Sequence, residues 1–434
     1  MKNKQASIFK RNSAIIKVLS IGFIILLLLI PQGMISGLIR ERSNRQIKAK
    51  SEVGKKWGAA QKLMGPFLLI PYRYYLEEGQ EIKASIKQAY FLPSSLKING
   101  TLLPDVRKRG IYKIPVYTYK GEISGQFSRP DFSEWEIKEE DILYNQAKVV
   151  VGITDLSGIN EEIAIKWNEQ PIKLKPGVPA NSITNSGIHA YIPIDSNQMN
   201  FSIQLSLNGS NQISFAPMGE KTEAELQSSW VSPSFDGRFI PDKREISDKG
   251  FSAYWKILNL NRNYPQKWTS NNQYQPRKEL FSVSLFQSID HYTLNTRTVK
   301  YAIIIILLVF TTFFFFEVLK KEIIHPLQYI FIGLAISIFY LLLLSFSEHI
   351  GFNKAYLIAA TAVISLILVY SNAILKTQKR VIFLGLALSA VFAFIYIILQ
   401  MEDFALLAGS IGLFLALATV MYISRKVNWY QLNE

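Results

Sequence analysis

The chain has 434 residues, a formal charge of +15 and no cysteine. The missing cysteines exclude disulfides, thiolate metal sites and a cysteine nucleophile. Apolar residues are not evenly spread: 14–39 and 299–424 are heavily apolar, whereas 40–298 reads as soluble sequence. Lysine and arginine orient membrane helices and meet anionic lipid, so the positive charge does not by itself point to nucleic acid.

A spanning helix needs about 20 mostly apolar residues, because the hydrocarbon core is about 30 Å thick. The first such segment is Ala14–Ile39, centred on Ile21–Ile30. Its basic start and apolar centre also resemble a signal peptide. There is no small-x-small cleavage pattern and the apolar stretch runs past Pro31 and Gly33, so it reads as a retained anchor.

Residues 40–63 are charged and rich in helix formers, and predict an extension of helix one or a separate helix ending before Gly65-Pro66. Strand signals follow. Leu96, Ile98, Asn99-Gly100 and Leu102 suggest a hairpin. Lys148–Ile153 is a β-branched run ended by Asp155 and Gly158. Ile163, Ile165 and Trp167 alternate, then a turn near Asn168–Pro171 leads to Ile172 and Leu174. Phe201, Ile203, Leu205 and Leu207 alternate with polar residues; Asn208-Gly209 and then Ile213 and Phe215 predict a second hairpin. Short strands spaced this way suggest a sandwich of antiparallel sheets. Six of the seven tryptophans lie between 57 and 268, so most aromatics there read as packing. A sugar- or peptidoglycan-stacking platform would sit at Tyr72, Arg73, Tyr74 and Tyr75, or at Tyr112, Tyr117 and Tyr119.

Five further spans follow: Tyr301–Leu319, Leu327–Phe346, Ala355–Leu375, Val381–Gln400 and Phe404–Ser424. The breaks between them are short, so successive helices are expected to be antiparallel neighbours. Seven basic residues fall on one set of ends: Lys320, Lys321, Lys376, Lys379, Arg380, Arg425 and Lys426. The opposite loops carry only Lys354, with Glu348, Glu402 and Asp403. The basic ends mark the cytoplasmic face. The large domain is then outside, and helix one runs outward from its flank of Lys2, Lys4, Lys10, Arg11 and Lys17. The basic stretch from Arg40 to Lys56 runs against this assignment, but long translocated domains obey the rule poorly and the short loops decide.

The expected architecture is therefore about six transmembrane α-helices, one N-terminal and five C-terminal, with a large β-rich, sandwich-like extracytoplasmic domain. Residues 1–39 form a basic cytoplasmic tail and the first helix. Residues 40–298 form the outer domain with a short N-terminal helix. Residues 299–434 form a five-helix bundle and a cytoplasmic tail.

No zinc-protease, nucleophile-elbow, Walker or dinucleotide motif occurs. Of the four histidines, His325 falls on the cytoplasmic side; His189, His291 and His349 with Glu348 would be the set for a divalent metal, but their spacing does not support one. Charges at bilayer depth mark function by default. Glu317, near the inner end of the second span, is expected to pair with Lys320 or Lys321 one turn on. Glu348 and His349 end the third span, in headgroups or against the outer domain. No catalytic, cofactor-binding or metal residue is assigned.

The chain resembles the CreD family of inner-membrane proteins. The resemblance rests on Asp290-His291-Tyr292, Arg297, Lys300-Tyr301-Ala302, Phe314-Phe315 and Glu317, then His325-Pro326, Gln328-Tyr329, Gly333-Leu334, Phe339–Leu344, Ser347-Glu348-His349 and Gly351-Phe352. Upstream it includes Gln61-Lys62-Leu63, Gly65-Pro66, Ile70-Pro71, Gly110-Ile111-Tyr112, Trp230, Pro233-Ser234-Phe235 and Gly250-Phe251, and it ends at Trp429-Tyr430-Gln431. It implies an inner-membrane protein linked to envelope integrity, colicin tolerance and the envelope-stress response to β-lactams, governed by a two-component system. It brings no enzymatic activity, ligand or cofactor. The expected function is a non-enzymatic envelope protein. Its partners are membrane lipid and a periplasmic or envelope protein or cell-wall component, not nucleic acid. A transporter or channel component, or a membrane enzyme acting on lipid or cell-wall substrate through Glu348 and His349, are the alternatives.

Overall fold

The computed structural model describes residues 13–78, 81–178, 183–285, 291–320, 324–375, 377–401 and 404–425. The basic residues at 2–11, at 321, 376 and 426, the acidic pair at 402–403 and the motif at 429–431 lie outside the described residues. The chain divides into two units, residues 47–288 and residues 1–46 with 289–434.

The helical unit begins with α1 (Ser13–Trp57), one continuous helix of 45 residues that ends in the other unit. The charged stretch after Ile39 thus extends helix one. At 1.5 Å per residue α1 is about 68 Å long, twice what the hydrocarbon core requires. Its buried residues Ile24, Leu28, Gln32, Ile35, Ile39, Gln46 and Ala49 are three, four or seven positions apart, which puts them on one stripe.

Then come α2 (His291–Lys300), α3 (Ala302–Lys320), α4 (Pro326–Ile350), α5 (Phe352–Leu375), α6 (Gln378–Gln400) and α7 (Ala405–Ser424). Among the described residues five helices are long and apolar enough to cross a membrane, or six if α2 and α3, bent by 43°, form one span. Punctuation matches the sequence. His325 caps α4 with Pro326 in its first turn, Gln328 reaches back to the His325 backbone N–H at 2.9 Å, and Gly351 closes the helix at φ +80°.

The β unit contains two sheets. One holds nine strands: β1 (Gln61–Glu78), β2 (Glu81–Phe91), β5 (Lys148–Ile153), β8 (Lys175–Pro176), β9 (Gly187–Tyr191), β11 (Gln212–Phe215), β13 (Pro233–Gly237), β16 (Lys267–Thr269) and β17 (Phe281–Leu285). The other holds β3 (Ser95–Arg109), β4 (Tyr112–Ser128), β6 (Ala164–Trp167), β7 (Gln170–Ile172), β10 (Gln198–Ser210), β12 (Lys221–Ser228), β14 (Lys243–Ser247) and β15 (Gly250–Leu258), in the order 14-15-12-3-4-10-6-7. Inward side chains of both sheets form one contiguous core, including Leu68, Val150, Ile98, Ile203, Trp167 and Trp255.

The sheets are mixed rather than antiparallel, because β1 pairs with β11 and β3 with β12 in parallel. Neither Asn-Gly pair is a hairpin turn. β10 runs through Asn208-Gly209, turns at Asn211 (φ +62°) and continues as β11 in the opposite sheet. β3 likewise runs through Asn99-Gly100. A Cβ on Gly100 would lie 2.2 Å from a ring carbon of Tyr119, and one on Gly209 would lie 2.3 Å from the Tyr117 hydroxyl. Both glycines therefore serve close packing beneath an aromatic ring. The predicted turn at Asn168 and Glu169 is present between β6 and β7, with both residues at positive φ.

Half of the six platform tyrosines are core. Tyr72, Tyr117 and Tyr119 are buried, and burial raises all three phenol pKa values. Tyr74 carries the Lys87 ammonium 3.4 Å above its ring, and Tyr75 is exposed with its hydroxyl donating to Asp141 at 2.9 Å. Within this unit the last turns of α1 pack Ala49, Val53 and Trp57 against Ile114 and Val116, and Arg107 stacks 4.2 Å from the Trp57 ring. Asp155 fastens the start of β1. Its carboxylate accepts the Ala59 N–H at 2.9 Å and the Ser157 N–H and hydroxyl at 3.0 and 2.6 Å. Burial opposes its ionisation, but these hydrogen bonds outweigh it and hold the carboxyl below its usual pKa.

Candidate functional site

Tyr329, Gly333, Ser337 and then Ser347-Glu348 lie on one face of α4, at helical spacing. α1 meets that face at three levels. At the start of α4, Glu317 of α3 forms an ion pair with Lys17 of α1 and accepts from Tyr329 Oη at 3.4 Å. In the middle, Gln32 Nε2 donates to Ser337 Oγ at 3.1 Å, and Ser337 Oγ donates to the Gly333 carbonyl at 3.0 Å. At the far end Glu348 accepts from Tyr292 Oη at 2.8 Å, with Arg42 Nη1 3.9 Å from its other oxygen. Beside it Asn295 Nδ2 donates to Ser347 Oγ at 2.9 Å, and both residues are buried.

Glu317 thus draws its cation from α1. The Lys320 side chain and residue 321, its expected partners, lie outside the described residues. Lys17, read from the sequence as part of a basic flank, is a bundle residue. Glu348 and His349 do not converge: Glu348 turns inward to Tyr292 and Arg42, while His349 is exposed. Adjacent helical residues point about 100° apart, so a sequence-adjacent pair makes a poor acid–base couple. Two of the other histidines are locally employed. His189 Nδ1 lies 2.8 Å from the Gly177 carbonyl, and His325 Nδ1 accepts the Leu327 N–H. Among the described residues no three His, Asp or Glu side chains gather in a metal-holding group.

Sequence reasoning missed Gln32 and Gly333. Gln32 is the one amide inside the uninterrupted apolar run after Lys17, which was the available signal. At Gly333 a Cβ would lie 2.1 Å from Leu28 Cδ1, so the absent side chain is what lets α1 approach. Close approach at small residues and polar contacts between helices are how spans associate in lipid, where apolar burial supplies little drive. Gln32 Oε1 is buried and accepts no hydrogen bond. Next to it α1 and α4 border a cleft of about 760 Å³, lined by Met34, Gly37, Leu38, Glu41, Ser337 and Leu341 among others.

One N-terminal and several C-terminal apolar helices, with a large mixed-sheet domain between them in the sequence, define a multi-pass membrane protein with one bulky domain. The chain belongs to the CreD family: the model described as inner membrane protein CreD matches residues 13–430. Inner membrane protein CreD of Escherichia coli (strain K12) is 32% identical over 422 residues, covering 95% of this chain and 93% of that protein.

Proposed function

We propose that this protein is a non-enzymatic component of the cell envelope, contributing to envelope integrity and the envelope-stress response. Its β unit lies on the periplasmic side and engages a periplasmic or envelope protein or a cell-wall component. Both termini are cytoplasmic, and the helices anchor the domain. The supporting observation is the state of the bundle's acidic groups. Glu317 and Glu348 are each held by a cation and a tyrosine hydroxyl from other helices, an arrangement suited to fixing a scaffold rather than to turning over substrate. The seven-to-one bias of basic residues in the short loops supports the orientation.

The test uses single cysteines in this cysteine-free chain at three exposed positions, Gln273, Lys354 and Thr377. A membrane-impermeant thiol reagent is applied to cells with a permeabilised outer membrane. Labelling at 273 and 354 but not 377 is expected, together with restored β-lactam and detergent resistance when the full chain is returned to a deletion strain. Labelling at 377 alone would place the β unit in the cytoplasm and remove the periplasmic partner.

A further inference from the structure

We propose that the cleft between α1 and α4 is a binding site for one phospholipid whose head carries a primary ammonium beside a phosphate, of the phosphatidylethanolamine type. The cleft runs along residues 31–41 of α1 and 334–341 of α4, within segments that cross the membrane. Its volume of about 760 Å³ falls in the range of small-ligand sites. The lining is apolar over Met34, Leu38, Ile338 and Leu341, which suits an acyl chain. Behind the cleft, the buried Gln32 donates to the lining residue Ser337 and fixes that hydroxyl at the wall.

The polar mouth selects the head. Among the described residues Glu41 is the only charged one lining the cleft, and Arg45 Nη2 sits 2.6 Å from its Oε1. A carboxylate with a guanidinium one turn on offers an acceptor for an ammonium and a fork of donors for the adjoining phosphate. A choline head has no N–H to give Glu41, and a glycerol head has no cation. A second copy of the chain is the competing occupant, since Gly33 and Gly37 form a Gly-x-x-x-Gly step with open space above both. A two-fold contact there would bring the two Glu41 carboxylates toward each other, which disfavours it.

The full chain in detergent is titrated with dioleoyl phosphatidylethanolamine, phosphatidylcholine or phosphatidylglycerol and analysed by native mass spectrometry. One ethanolamine lipid per chain should be retained about tenfold better than either other lipid, the scale of one charge-assisted hydrogen bond. A Cβ at Gly37 meets nothing within 4 Å, so Gly37→Phe should plug the cleft without disturbing the helices and abolish that adduct. Met34→Trp, at a 72% exposed position, should do the same. Glu41→Gln should keep an adduct but lose the preference over phosphatidylcholine. Equal retention of all three lipids, or an adduct unchanged in both plugged variants, overturns the proposal in favour of general annular lipid. A dimer mass that Gly37→Phe dissociates overturns it in favour of a second copy.

Discussion

Gly333→Ala is expected to change sign with its background, which isolates the α1–α4 contact. In the wild-type chain the new methyl would stand 2.1 Å from Leu28 Cδ1 and 3.1 Å from Cδ2, and Leu28 is fully buried. Overpacking of this kind costs about 1–3 kcal/mol. Against it, alanine is favoured over glycine in a helix interior by about 1 kcal/mol. The net change should therefore run from about zero to 2 kcal/mol destabilising. In Leu28→Ala the clash disappears and only the helical preference remains, so Gly333→Ala should stabilise by about 1 kcal/mol. Leu28→Ala alone should cost about 2–5 kcal/mol. The coupling energy is thus about 1–3 kcal/mol. It is measured by SDS titration from mixed micelles, followed by far-UV circular dichroism, on all four proteins of the cycle. Effects of Gly333→Ala that agree within about 0.5 kcal/mol in the two backgrounds would refute the contact.

Glu348→Leu and Tyr292→Phe remove the same 2.8 Å hydrogen bond, so either should cost about 1.5–3 kcal/mol and the double variant little more than the worse single one; full additivity in the same titration would count against the bond. Gly100→Ala and Gly209→Ala should each lower the melting temperature of the β unit, by the about 1–3 kcal/mol of an overpacked core, because Tyr119 and Tyr117 occupy the space above them; unchanged differential scanning calorimetry would show that the rings can move aside. Asp155 has a folded pKa below its ordinary 3.8, so its carboxylate stabilises the fold above that value and the contribution is lost as pH falls toward and through the lower folded value. Asp155→Asn should therefore melt below wild type at neutral pH, with the gap closing below about pH 4. A gap that stays constant across that range would mean the charge is not what matters.

The membrane spans were legible because length and apolarity are nearly sufficient conditions for a spanning helix. β5, β6 and β10 were legible too, since alternation and β-branching are local properties. What failed was non-local. Asn99-Gly100 and Asn208-Gly209 carry the turn chemistry of a hairpin, yet the reason for each glycine is a tyrosine on a neighbouring strand. The parallel pairings of β1 with β11 and of β3 with β12 join segments more than a hundred residues apart, which no window can see. The bundle failed in the same way. Glu317 has basic residues one turn on, and nothing in its neighbourhood announces Lys17, 300 positions earlier. Gln32 was missed although its signal was local: a lone amide in an apolar run marks a span with an interhelical partner.

The distribution of those polar interactions bears on why α1 needs them. In its most apolar stretch only 22% of α1 is buried, against 56% for α4, so α1 has little packing area with which to hold its place. Interhelical polar interactions within lipid average about 0.6 kcal/mol and reach about 1.7. Three of them, Lys17–Glu317, Gln32–Ser337 and Arg42–Glu348, together supply about 2–5 kcal/mol. That shifts docked over released α1 by a factor of about 30 to several thousand. Loss of any one pair is therefore expected to weaken the docking of α1 by about 0.6–1.7 kcal/mol. The three levels also lie at the two ends and the middle of α4, which fixes the rotation and height of α1 as well as its affinity. A transport pathway would instead need polar groups that exchange partners along the membrane normal, and here Glu317 and Glu348 each have both a cation and a hydroxyl. The polar residues of this bundle are best understood as what holds a long, lightly packed helix in register.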